Sequence, residues 1–154
     1  MLKLLYIQQM AKRPVSKEIT EECLCSPVRQ VHRALSSIYE EALRPVGLTI
    51  SQLTLLVAID RMDDGATPTR LAKALLLQKS TVTRDLVRLE ENGWVVRREG
   101  KDARQVGLSL SAAGERLLER AVVPWREAQA LARKMLGPHA AAGRAIATHL
   151  RDRI

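Results

Sequence analysis

The residues with the clearest chemistry lie between Ser80 and Arg104. Ser80, Thr81 and Thr83 supply short hydroxyls, Arg84 and Arg88 supply guanidinium groups, and Arg97, Arg98, Lys101 and Arg104 gather positive charge around Gly100. Hydroxyls and backbone N–H groups hold phosphate oxygens, while an arginine fork matches the O6 and N7 edge of guanine. At about 100° per residue, Val82, Leu86 and Leu89 share a narrow arc that must face a core. Ser80, Arg84, Val87 and Arg88 fall on the opposite side, with Thr81 and Thr83 on its flanks. This pattern suits a helix that enters a major groove. It suits an ordinary solvated amphipathic helix equally well, and the helix alone does not decide.

The elements around this run narrow the choice. Asn92-Gly93 stops the helix, and Trp94, Val95 and Val96 then supply one strand. Val106, Leu108 and Leu110 alternate with Gln105, Gly107 and Ser109, the period of a half-buried partner strand. The basic turn between the strands would reach a minor groove or flanking phosphates if the adjacent helix were docked. Upstream, a helical pattern runs from Ser26-Pro27 through Val28, Val31, Leu35, Ile38, Ala42 and Val46, widened by His32, Tyr39 and Leu43 and ended by Gly47. A second helix starts near Thr49 or Ser51, carries Leu53, Leu56, Val57 and Ile59, and stops before Asp63-Asp64-Gly65. Thr67-Pro68 is an N-cap and first-turn pair for a third helix with Leu71, Ala72 and Leu75 facing inward. A turn at Leu77-Gln78-Lys79 leads into the central helix.

After the hairpin, Ser111 caps a long helix containing Leu118, Ala121, Val122, Trp125, Ala128 and Leu131, with Pro124 expected to bend it. Gly137-Pro138 separates a last helix with Ala142, Ala145, Ile146, His149 and Leu150. The expected order is four helices, a hairpin and two helices. The fold class is therefore mainly α with a small β-hairpin wing.

Composition agrees with this reading. The 154 residues favour a single folded unit, and with no Phe the core must be built from Leu, Val and Ala. A net charge of +8 and a pI near 10.1 suggest a polyanionic partner, either nucleic acid or an anionic membrane. No run approaches the roughly 20 apolar residues that span a bilayer, and the start, MLKLLYIQQMAKRP, reads as an amphipathic helix or loose arm rather than an export signal. Two cysteines without such a signal point to a reducing cytoplasm and free thiols.

The run from Leu48 through Gly114 resembles the winged helix-turn-helix of the MarR family, the multiple antibiotic resistance regulators. The resemblance is carried by LTISQLTLLVAI, TRLAKALLLQKSTVTRDLVRLEENGWVVRR, Asp102-x-Arg104 and LSLSAAG. It implies a winged helix-turn-helix region over residues 48–110, between dimerisation helices at 1–47 and 111–154, in a homodimer. It also implies that Thr69, Ser80, Thr81, Thr83, Arg84 and Arg88 face DNA on the helix side, and Arg97, Arg98, Lys101 and Arg104 on the wing side. Arg104 would enter the minor groove, with Asp102 orienting a neighbouring arginine. The chain departs from the family at Leu76, where Gly is frequent, and at Gln78, where a capping Asp is frequent.

Two inputs are open. Cys25 stands near a helix start and four residues before Arg29, a setting that favours thiolate. Its distance of 23 residues from Leu48 resembles the reactive-cysteine spacing of the family's organic-hydroperoxide-sensing branch. That resemblance implies a role for Tyr39 beside the thiol and for Cys23 or a partner thiol in resolving a sulfenic acid, although Ile50 replaces a second tyrosine of that branch. Alternatively, His32, Tyr39 and Trp125 could line a pocket for a small aromatic or phenolic ligand. The three histidines and two cysteines lack metal-site spacing, and no nucleophile elbow or phosphate loop is present, so neither metal, cofactor nor enzyme activity is expected. The expected protein is a cytoplasmic, dimeric regulator that binds a palindromic operator in double-stranded DNA. It is most simply a repressor released by an effector; the rival is a winged-helix protein-interaction module that binds no DNA.

Overall fold

A computed structural model of the chain describes residues 14–62, 65–99 and 106–153. The chain falls into two compact units, residues 1–37 and 38–154. The helices are α1 (Pro14–Glu22), α2 (Cys25–Leu43), α3 (Ile50–Asp60), α4 (Pro68–Leu75), α5 (Lys79–Glu91), α6 (Ala112–Leu136) and α7 (Ala140–Arg151). Strands β1 (Val95–Glu99) and β2 (Val106–Leu110) form an antiparallel hairpin between α5 and α6. Among the described residues no single helix is long and apolar enough to cross a membrane.

The first unit holds a helix that the periodicity did not announce. α1 begins at Pro14, a first-turn position where no helical hydrogen bond needs an N–H, and carries an exposed Lys17–Glu21 pair one turn apart. Its apolar content is too low for an obvious stripe, which explains why the pattern gave no warning. Residues 1–13, read above as an arm or amphipathic helix, lie outside the described residues. The apolar stripe expected along α2 is exposed at Val28 and Val31; His32 on the same stripe is also exposed.

In the second unit the stripe of α2 turns inward. Ile38, Tyr39 and Ala42 are half-buried and Leu43 is fully buried, after which a 3-10 turn (Arg44–Val46) and a left-handed Gly47 end the helix. α3 is opened by a capping box: Thr49 accepts from the Gln52 N–H at 3.1 Å, and the Gln52 side chain accepts from the Thr49 N–H at 2.9 Å. It buries Leu53, Leu55, Leu56 and Ile59, while Val57, expected inside, is 41% exposed. The difference has a packing cause. α3 touches α4, α6 and β2, so it is covered on more than one side and a single stripe understates its buried arc.

α6 buries Ala121 and Ala128 of its expected stripe but departs from the rest of it. Its buried residues are Gly114, Leu117, Ala121, Ala128 and Ala132, whereas Val122, Trp125 and Leu131 are exposed. The inward face is built from small side chains that let the neighbouring elements come close, and the larger apolar residues are turned outward. Leu43, Leu71, Val82, Leu89, Val95 and Leu108 join α3 and Leu117 in one continuous core.

Candidate nucleic-acid interface

Two helix ends aim the central helix. At the end of α4, the Leu77 N–H donates to the Ala72 carbonyl at 2.9 Å and the Leu76 N–H to the Lys73 carbonyl at 3.3 Å. This is the Schellman pattern, and it needs a left-handed residue at the position that Leu76 occupies, with φ 54°. Leu76 is the one non-glycine residue with positive φ among those described, and holding a leucine there costs roughly 1–2 kcal/mol relative to a right-handed conformation. The same pattern closes α5 with the residue that suits it. Gly93 has φ 69°, its N–H donates to the Glu90 carbonyl at 2.9 Å, and the Trp94 N–H donates to the Leu89 carbonyl at 3.0 Å. The Asn92 side chain adds a bond to the Arg88 carbonyl at 2.7 Å. The chain therefore turns sharply out of α5 into β1, which sets the hairpin beside the helix.

α5 buries Val82, Leu86 and Leu89 and leaves Ser80, Thr83, Arg84, Val87 and Arg88 exposed, with Thr81 half-buried. Gln78 at its N-cap makes no side-chain hydrogen bond, so no side chain closes the first turn from that position. An open first turn with a positive dipole end is well suited to an anion such as a phosphate. The Thr83 hydroxyl donates to the Lys79 carbonyl at 2.9 Å. Arg84 and Arg88 are 68% and 63% exposed and share Asp85, each 4.0 Å from its Oδ1. Ion pairs that long and that open to solvent contribute little, so both guanidinium groups remain available to a ligand. Thr69 is exposed in the first turn of α4, whose N-cap Thr67 accepts from the Arg70 N–H at 3.2 Å.

The hairpin is pinned at its base. β1 and β2 pair in the register Val95 with Leu110 and Arg97 with Leu108, and the Leu108 N–H also donates to the Ala66 carbonyl at 2.8 Å. Val95, Leu108 and Leu110 are buried, so one hairpin face belongs to the core and Val96 and Arg98 lie on the other. Arg98 is exposed; Arg97, by contrast, donates through Nε to Glu90 Oε1 at 2.8 Å and through its terminal nitrogen to Oε2 at 3.3 Å. Ser111 clasps hairpin and α6 together. Its hydroxyl donates to the Gly93 carbonyl at 2.6 Å and accepts from the Gly114 N–H at 3.1 Å, while its own N–H donates to the Trp94 carbonyl at 3.0 Å. The wing-tip residues Lys101, Asp102 and Arg104 lie outside the described residues.

The residues considered for sensing are distributed over the two units. In the first, Cys25 is exposed as the first residue of α2, and half-buried Cys23 accepts the Ser26 N–H on its sulfur at 3.4 Å. In the second, the Tyr39 hydroxyl donates to Gln129 Oε1 at 2.5 Å. Burial raises its pKa above the ordinary value, partly offset by the Arg133 charge. Next to it, Glu40 accepts the Ile50 N–H at 3.0 Å and so ties the end of α2 to the start of α3. A cleft of about 890 Å3 opens between α3, the end of α4 and α6, lined by Leu53, Val57, Met62, Leu75, Val122 and Trp125 among others, with Arg61, Glu119 and Arg151 supplying charge. Trp125 lines it and Tyr39 does not. Sequence reasoning did not assign the other walls to a pocket; it read Leu53, Val57, Leu75 and Val122 as inward-facing positions of their helices.

A helical core that presents α5 beside a two-stranded wing is a winged helix-turn-helix. The MarR-family sequence model matches residues 46–105. The uncharacterized HTH-type transcriptional regulator YwoH of Bacillus subtilis is 35% identical over 96 residues, 62% of this chain and 69% of that protein. The M. tuberculosis transcriptional regulator MosR, solved in complex with DNA, superposes with a TM-score of 0.73 and 33% identity over 86% of this chain and 96% of its own. A mutant E. coli MarR complexed with operator DNA gives 0.72 and 25% identity over 83% and 92%. The chain belongs to the MarR family of transcriptional regulators.

Proposed function

We propose that the protein is a homodimeric, cytoplasmic repressor, not an enzyme, that binds a palindromic operator through α5 and the wing and is released by a small-molecule effector. The observation that carries the DNA-binding part is the outward face of α5, where Ser80, Thr83, Arg84 and Arg88 are exposed beside the basic hairpin. Relatives of the same fold have been solved on DNA. The dimer is supported by apolar side chains left uncovered on Val28 and Val31 of α2, Leu131 and Met135 of α6, and Ile146 and Leu150 of α7. A second copy that buries them would set two α5 helices about 34 Å apart, one turn of DNA.

Duplexes enriched from a random pool by the full-length protein are expected to be palindromic, and binding to them should weaken steeply as salt rises. Enrichment of no duplex, or binding indifferent to salt, would instead favour a protein-interaction module. The effector is assigned to the cleft beside Trp125, whose walls are apolar with a few charges at hand, as suits an aromatic molecule with a polar group. A phenol that releases the wild type should fail to release Val57→Trp, which fills the cleft from an exposed position. Equal release would remove the cleft from the mechanism.

One observation favours a thiol input as a second reading: Cys25 is exposed at a helix start with Cys23 close in sequence. Under an organic hydroperoxide the Cys25 thiolate would attack the peroxide oxygen, giving the sulfenic acid and an alcohol; a second thiol would then form a disulfide and release water. Wild-type protein should leave its duplex under peroxide while Cys25→Ser stays bound. Identical behaviour of the two would make the thiol structural.

A further inference from the structure

The resemblance groups Arg97 with the cations that face DNA, but its geometry gives it another partner. Strand alternation places Arg97 on the same hairpin face as Val95, and its cross-strand neighbour is the buried Leu108. That face looks toward the core and α5; Arg98, one residue on, lies on the other face. From there the Arg97 guanidinium meets the half-buried Glu90 carboxylate in the last turn of α5 through two hydrogen bonds, 2.8 and 3.3 Å long. A planar fork seated on two carboxylate oxygens fixes orientation as well as distance. Among the described residues no comparable fork holds Arg84 or Arg88, whose contacts to Asp85 are 4.0 Å long.

The two residues join different elements across the turn at Asn92-Gly93. One end of the pair is on the groove-entering helix and the other is on the strand that leads to the wing tip. The hydrogen bonds of that turn restrain the chain locally and the Leu108 bond to Ala66 pins the hairpin's base, but neither ties β1 to α5 and so fixes the tilt between them. A rigid tie two residues into β1 removes that freedom.

We propose that Glu90 and Arg97 form a strut that sets the angle of the wing to the recognition helix, and that Arg97 is a positioning residue rather than a phosphate contact. The pair is a partly exposed one, so its consequence is in geometry more than in folding stability. Disruption lets the wing sample orientations in which it misses the DNA while α5 is docked, and affinity falls by the population lost.

The inference rests on the DNA-binding reading, and a double-mutant cycle on the enriched duplex separates the two. Wild-type binding is measured first; its absence overturns the DNA-binding reading. Glu90→Gln and Arg97→Gln are then each expected to weaken binding by a similar factor, on the order of three- to tenfold. The double variant should be no weaker than either single one, and the slope of affinity against salt should be unchanged. Simple charge arithmetic predicts the reverse for Glu90→Gln, since removing a negative charge near DNA should tighten binding. Tighter binding by Glu90→Gln, together with a salt slope that falls by about one in Arg97→Gln, identifies Arg97 as a phosphate contact and overturns the strut. Unaltered binding in both variants overturns it as well. Thermal melts of each variant, matched to wild type within a few degrees, exclude loss of fold as the cause.

Discussion

Gly114→Ala is expected to destabilise the protein by about 3 kcal/mol, the upper range for forcing an atom into a packed site. A Cβ at this position would stand 2.2 Å from the Trp94 carbonyl oxygen and 3.1 Å from its carbon. Neither atom belongs to a flexible side chain. Trp94 is held by its N–H bond to the Leu89 carbonyl, and its own carbonyl accepts from Ser111 at 3.0 Å. Relief therefore requires the start of α6 to move away from the hairpin, which breaks the Ser111 clasp to Gly93 and uncovers Leu117 and Leu110. Urea denaturation at fixed protein concentration measures the effect as a fall in midpoint with the slope retained. A midpoint within error of wild type would mean that α6 and Trp94 are not in contact. By contrast, alanine at Gly143, where a Cβ meets nothing within 4 Å, should be tolerated.

Arg84→Ala is expected to cut affinity for the enriched duplex by roughly ten- to a hundredfold and to broaden base preference at one position of each half-site. The reason is its place on α5. Arg84 lies two residues beyond buried Val82, so it projects from the side opposite the core, and its contact to Asp85 is too long to hold it back. Arg98→Ala, on the outer face of the hairpin, should instead weaken all duplexes about equally and lower the salt slope by about one. The comparison is made by repeating the enrichment with each variant. If Arg84→Ala retains the wild-type preference at every position, α5 is not the element that reads the bases.

Much of this architecture was legible in the chain. Thr49, Thr67 and Ser111 are the N-caps of their helices, and each acts through the side-chain oxygen that makes such residues recognisable. Val82, Leu86 and Leu89 are buried because α5 is packed on one side only, and a helix in that setting shows its period plainly. The strand alternation that marks β2 carries equally through β1, and read to its end it separates Arg97 from Arg98. That signal was present but outweighed by the sheer density of positive charge.

Other features were not legible because they depend on what neighbours do. α3 is enclosed by three elements, so Leu55 is buried and Val57 is not, although both are equally apolar. On α6 the stripe placed Ala121 and Ala128 inward, as they are. It took Val122, Trp125 and Leu131 with them and passed over Gly114, Leu117 and Ala132, because small residues give too little hydropathy contrast to centre the buried arc. The cleft beside Trp125 follows from that arc, since the bulkier residues are displaced to its walls.

By itself, the sequence determined the order of elements, their ends and the exposed face of α5, because caps, turn residues and one-sided periodicity are local properties of the chain. Only the tertiary structure decided which small residues permit close approach, where the cleft opens, and that Arg97 is held by Glu90. Those outcomes arise from atoms distant along the chain or on separate elements competing for the same space, and no local pattern records the result.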